Sequence, residues 1–215
     1  MTHTAYRLGN EESLKMDYVV LCIAARNFNH QGCAEKLRKM SEIFRKHNPV
    51  NFGDVKQGSI WREGLDFDRI VSELKDTSVI HGVFTRLEDV KGAVKDLKAA
   101  DLGISVVVTG LFKDVFCLAE EAGLKPHCVG ISLGIFGRTE KLAPLELREV
   151  TSMCGHNMIG PHTVKDVIAD VRKGKIKVEA AAKEMAESCI CGLFNPIRAA
   201  LLIQNLAEVQ NAAIK

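Results

Sequence analysis

Four short apolar runs constrain this chain more than any other feature: residues 18–24 (YVVLCIA), 79–84 (VIHGVF), 104–109 (ISVVVT) and 128–133 (CVGISL). They are rich in Val and Ile and do not alternate with polar residues, the pattern of strands covered on both faces. Between them lie amphipathic stretches. Residues 33–47 carry Leu37, Met40 and Phe44 at helical spacing, and residues 67–74, 90–100 and 113–122 follow, the last closed by Gly123 as a C-cap. Strands alternating with helices predict right-handed βαβ units and an α/β fold, a doubly wound and mainly parallel sheet of about four or five strands.

Residues 48–64 break this rhythm with Pro49, Gly53, Gly58, Gly64 and the only tryptophan, Trp61. A stretch of that length reads either as a lid or binding loop, or as a surface excursion pinned by Trp61. Beyond residue 150 no further strand is visible. Three helices are expected, over 161–173 with Pro161 in the first turn, over 178–187, and over 196–212 with Asn195 as N-cap. The domain reading is therefore an α/β sheet domain over 1–150 and a helical, cysteine-containing lobe over 151–215.

Charge narrows the partners. The 29 Lys and Arg against 27 Asp and Glu leave a net charge of +2, without the basic excess of a nucleic-acid binder. No apolar run approaches the roughly 18 to 20 residues of a membrane span. The first residues, MTHTAYRLGNEESLK, carry no apolar stretch behind a basic start, so a cytoplasmic protein is expected. Seven cysteines in such a compartment are thiols rather than a disulfide framework, and the count is odd.

Three of these cysteines stand out by position: Cys154 in SMCGHNMIGPH, and Cys189 with Cys191 in SCICGLFNP. Gly155 and Gly192 follow directly, which lets the backbone approach a bulky group and turn amides toward it. Cys191 also lies just before the helix start at Asn195-Pro196, whose positive dipole end favours thiolate. The pattern points to a sulfur-ligated metal centre. An iron–sulfur cluster, read as [4Fe–4S], is the leading expectation, with His156 or Cys128 as a fourth ligand or one iron left open. Zinc held by Cys154, Cys189, Cys191 and His156 is the alternative, and a metal-free cysteine seam between helices is the third.

The other cysteines read more plainly. Cys22 and Cys117 are expected in the core. Cys33 opens a helix after Gly32, close to His30, and is a candidate nucleophile. In an open α/β sheet ligands gather at strand ends, which nominates Asn27, Arg86, Thr109, Gly110 and Arg138 as anchors for an anion. Gly130, Gly134 and Gly137 do not have the spacing of a dinucleotide fingerprint, and no P-loop or Gly-x-Ser-x-Gly elbow is present.

Three functions follow. The first is a cytosolic iron–sulfur protein, expected to be an enzyme acting on a small anionic molecule between the strand ends and the cysteine lobe, with His156 and then His30 as acid–base groups. The second is a non-enzymatic binding or assembly module with structural zinc or no metal. The third is a metal-free hydrolase or transferase using Cys33 and His30. Neither nucleic acid nor a membrane is an expected partner. The final helix (Ile197, Leu201, Leu202, Leu206, Val209) is apolar enough to pack internally or across a homo-oligomer.

Overall fold

The computed structural model describes residues 6–212. A short helix α1 (Glu11–Leu14) precedes β1 (Tyr18–Ile23), α2 (Cys33–Lys46), β2 (Asn51–Asp54), β3 (Gly58–Ser59) and α3 (Phe67–Ser72). There follow β4 (Val79–Phe84), α4 (Leu87–Ala100), β5 (Ser105–Thr109) and α5 (Phe112–Glu121). After a 3-10 turn at Thr139–Lys141 come four helices, α6 (Leu145–Thr151), α7 (Pro161–Arg172), α8 (Val178–Ser188) and α9 (Pro196–Ala212).

The five strands form one sheet in the order β3-β2-β4-β1-β5. Every pairing is antiparallel, which overturns the expected doubly wound, mainly parallel sheet. In β1, Tyr18 faces Phe84 of β4, and Val19 faces Thr109 of β5. Since β1 and β2 both run opposite to β4, they are parallel to each other with β4 between them. Likewise β4 and β5 are parallel with β1 between them. Two βαβ crossovers are thus interlocked, the split arrangement of a ferredoxin-like βαββαβ unit.

The apolar runs misled because alternation vanishes whenever both faces are covered, whatever the strand direction. On one face Val20, Cys22, Ile80 and Phe84 pack against Leu37, Met40 and Phe44 of α2, Val90 and Leu97 of α4, and Leu118 of α5. On the other, Val19, Leu21 and Val83 pack against Val150, Met153, Val164, Met185, Phe194 and Ile203 from the α6–α9 layer. Most of β1 is buried on both sides.

Two further expectations change. Residues 48–64 are neither lid nor surface excursion, because they contain β2, whose four residues are all buried, and β3. Trp61 donates its indole N–H to Val50 O at 2.9 Å and closes this hairpin. Residues 128–133 form no strand in this structure: the chain from 123 to 141 is exposed throughout. Among the described residues no helix is long and apolar enough to cross a membrane.

Candidate functional site

The helical lobe presents two turns to the same place. Helix α6 ends at Thr151, and the turn after it carries Cys154, whose N–H donates to Thr151 O at 3.0 Å. Helix α8 stops at Ser188. The next turn runs through Cys189 and Cys191, and Gly192 N donates to Cys189 O at 2.8 Å. All three thiols are buried. The sulfurs of Cys189 and Cys191 are 3.8 Å apart, and Cys189 also hydrogen-bonds Cys154.

Cys189 thus stands between two other sulfurs, with one S–H to share between them. This sharing pushes its own thiol far up and holds the Cys154 and Cys191 thiols well below the ordinary range. Backbone amides of Met158 and His156 point to Cys154 and add to that effect. At Cys191 the amide of Leu193 and the His156 side chain do the same. The result is a pocket of sulfur lined by N–H donors, the kind of setting that stabilises anionic thiolate and metal–sulfur groups.

Residues far away in the chain fix the second turn. Asn51 of β2, fully buried, donates from Nδ2 to Gly192 O at 2.7 Å and to Phe194 O at 2.9 Å. His81, at the centre of β4, meets Cys191 O at 2.7 Å, and because a carbonyl only accepts, Nε2 carries the proton. Gly192 has φ +72°, and a Cβ there would lie 2.5 Å from the Ser59 side chain, so the site needs glycine on both counts.

Beyond the turn, Asn195 caps α9 by accepting from Arg198 N at 3.0 Å, as its sequence position predicts, and donates to Met16 O at 2.7 Å. Arg198 is buried and pairs with Asp17 at 2.7 Å, while Arg7 reaches the same carboxylate and donates to Leu193 O at 2.7 Å. These bonds tie the start of α9, and the chain at Leu193 just after the second turn, to the residues around Asp17.

Not every nominated residue gathers here. Among the described residues, no group of three or more His, Cys, Asp or Glu side chains is arranged to hold a single ion. Cys128 lies in the exposed chain segment. Cys22 is buried in the core as expected, but Cys117 is exposed and donates to Glu121 at 3.3 Å. Cys33 is buried and its Sγ donates to Asp76 O at 3.2 Å. Burial, then the Asp76 carboxylate, pushes this thiol up, the reverse of activation. His30 accepts from Asn27 N at 2.9 Å through Nδ1.

The anion anchors separate because the strands are antiparallel. Asn27 follows β1 at the end where Ile23 faces Ser105 and Val79. Arg86, Thr109 and Gly110 lie at the opposite end, and Arg86 pairs with Asp89 at 3.7 Å. Gly110 accommodates the Tyr18 ring, 2.6 Å from where its Cβ would be. Arg138 is in the exposed segment. A different cleft, of about 620 Å³, lies between residues 60–65 and Lys183 and Glu187 of α8, the helix that delivers Cys189.

Sequence reasoning found the three cysteines, His156 and Asn195. It missed Asn51, Ser59, His81, Asp17 and Arg198, which carry no local signal because each acts across the fold. Comparison with protein-family models, with curated proteins and with solved structures finds no match to this chain.

Proposed function

We propose that the protein is a cytosolic metal–thiolate protein whose Cys154, Cys189 and Cys191 ligate an iron–sulfur cluster at the seam between sheet and helical lobe. One observation carries the reading: three buried thiols from two distant turns converge on one another. Plain packing would be served by any small apolar side chain. It would not call for backbone amides turned toward sulfur, or for a buried Asn and His holding the carbonyls of the sulfur-bearing turn.

The spacing says how such a cluster would sit. Two ligands on one tetrahedral metal with bonds of about 2.3 Å stand about 3.8 Å apart. Cys189 and Cys191, at 3.8 Å, therefore suit one iron of a [2Fe–2S] cluster, whose irons take two thiolates each, rather than a [4Fe–4S] cubane, whose irons take one, and Cys154 from the other turn suits the second iron. His156, in contact with Cys191, is the nearest nitrogen ligand or acid–base group. The cleft beside α8 sets Arg62 and Lys183 against Glu63 and Glu187, so its charges balance and it adds no argument for an anion.

Structural zinc is the second reading, favoured by the 3.8 Å spacing of Cys189 and Cys191 alone, since the Cys154 and His156 side chains would have to move to complete its shell. Iron, zinc and acid-labile sulfide in protein purified without oxygen decide between them. Iron with sulfide is expected, lost in Cys154→Ser, Cys189→Ser and Cys191→Ser and kept in Cys22→Ser and Cys117→Ser. Stoichiometric zinc alone would replace the cluster by a structural site. A folded protein that takes up neither on reconstitution would overturn both.

A further inference from the structure

Residues 128–136 (CVGISLGIF) are apolar and yet lie in solvent, with Ile131 61%, Leu133 78% and Phe136 78% exposed. Their pattern is a strand's. Val129, Ile131, Leu133 and Ile135 occupy alternate positions, and Gly130, Ser132 and Gly134 fill the others. Among the described residues, no backbone hydrogen bond joins this stretch to another element. Continuous apolar surface of this kind marks something that is covered in another state.

The sheet offers the matching place. β5 ends the order β3-β2-β4-β1-β5, so among the described residues no strand pairs with its outer side, and its residues are only partly covered where β1 is buried. An open edge of this sort is a template for pairing, which folded proteins rarely leave bare.

Chain order and handedness select the occupant. The step from β1 through α2 to β2 crosses two places one way, and the step from β4 through α4 to β5 crosses two places the other way. Because β1 and β4 are antiparallel and α2 and α4 share one face, both crossovers have the same hand. Helix α5 lies on that face too, with Leu118 and Ala122 in the same core and Lys91 of α4 paired to Glu121 at 3.0 Å. A strand after α5, laid parallel to β5 on its outer side, repeats that hand, the one nearly all such units adopt. Residues 122–127 make the return, within the usual length of such connections.

We propose that residues 128–136 are a sixth strand of this sheet, which docks in parallel along the open edge of β5 of its own chain. Docking removes four large aliphatic side chains from water and pairs the β5 edge of the sheet. The short tether makes the event intramolecular, which favours it over the same contact between copies. It also carries Arg138 to the end of the sheet where Arg86 and Thr109-Gly110 lie.

Hydrogen exchange read by mass spectrometry on the full-length protein tests this, at two protein concentrations and alongside the double variant Ile131→Asp/Leu133→Asp. In the wild type, amides of 128–136 and of β5 should exchange at least about tenfold more slowly than in the variant, equally at both concentrations, while β1 stays protected in both. Exchange at the free-chain rate in the wild type would overturn the proposal. So would equal protection in the variant, or protection that appears only with a doubled mass in light scattering, the mark of strand exchange between copies.

Discussion

Asn51 shows how much of the site rests on single side chains. It satisfies two buried carbonyls, those of Gly192 and Phe194, from a strand far away in the sequence. Asn51→Ala leaves both acceptors unpaired, so a loss of about 2–4 kcal/mol is expected. The drop should appear as a lower denaturation midpoint, together with weaker metal retention. An unchanged midpoint would mean the turn holds its shape alone. Gly192→Ala meets Ser59 and His81 and forces alanine to φ +72°, costing about 1–3 kcal/mol from the backbone alone. Gly160→Ala is the control, since a Cβ there meets only the Thr163 hydroxyl, at 4.0 Å. At this scale the sequence was readable where chemistry is local. Thiols followed by glycine, and Asn195 before Pro196, announce a sulfur-bearing turn and a helix start from their immediate neighbours. Asn51 and His81 announce nothing, because their partners are more than a hundred residues away.

Most elements were legible in kind but not in direction, the exceptions being β2 and β3, read as loop, and residues 128–133, read as a strand that this structure does not form. Helices α2, α7, α8 and α9 follow their periodicity and start and stop residues. β2 was hidden because two of its four residues, Asn51 and Asp54, are polar yet buried. Asp54 earns its place by accepting from Val79 N at 2.8 Å and from the Ser78 hydroxyl at 3.1 Å. Helix α2 shows the same long reach. Its first turn is capped by Asp76, which accepts from Gly32 N at 2.8 Å and Ala34 N at 3.0 Å and so has its carboxyl held low. Asp76→Ala should lower the thermal midpoint slightly, because the amides of Gly32 and Ala34 lose their acceptor. The same geometry governs Cys33 beneath it. Burial and the nearby carboxylate move its thiolate to more alkaline pH. At neutral pH iodoacetamide should label the exposed Cys128 first and Cys33 far more slowly, with the gap narrowing as pH rises. Peptide mapping reads this directly, and fast labelling of Cys33 would revive a nucleophilic role for it.

For the molecule as a whole, the sheet is a partition shared by two cores. Val20, Ile80 and Phe84 belong to one, and Val19, Leu21 and Val83 to the other. Neither layer of helices is an appendage, because each covers apolar strand residues that water would otherwise meet. Phe194 and Met153, both fully buried, come from the turns that flank the cysteines, so the thiol site lies inside the second core rather than on it. Metal loss and unfolding should therefore be coupled. The sheet domain expected from the sequence over 1–150 is tested by the same logic. A chain cut after residue 143 loses α6–α9 and with them every partner of that second face outside the sheet and the residues around it. It also loses Arg198, leaving the buried Asp17 with Arg7 alone, and a buried charge stripped of a partner costs about 3–5 kcal/mol. That penalty, added to the exposed aliphatic face, is comparable to the total stability of an ordinary domain. The truncated protein should then show no cooperative thermal transition and should bind a hydrophobic dye. If it instead melts sharply near the temperature of the full chain, the α2, α4 and α5 layer suffices to hold the sheet, and the cysteine lobe is a passenger on it.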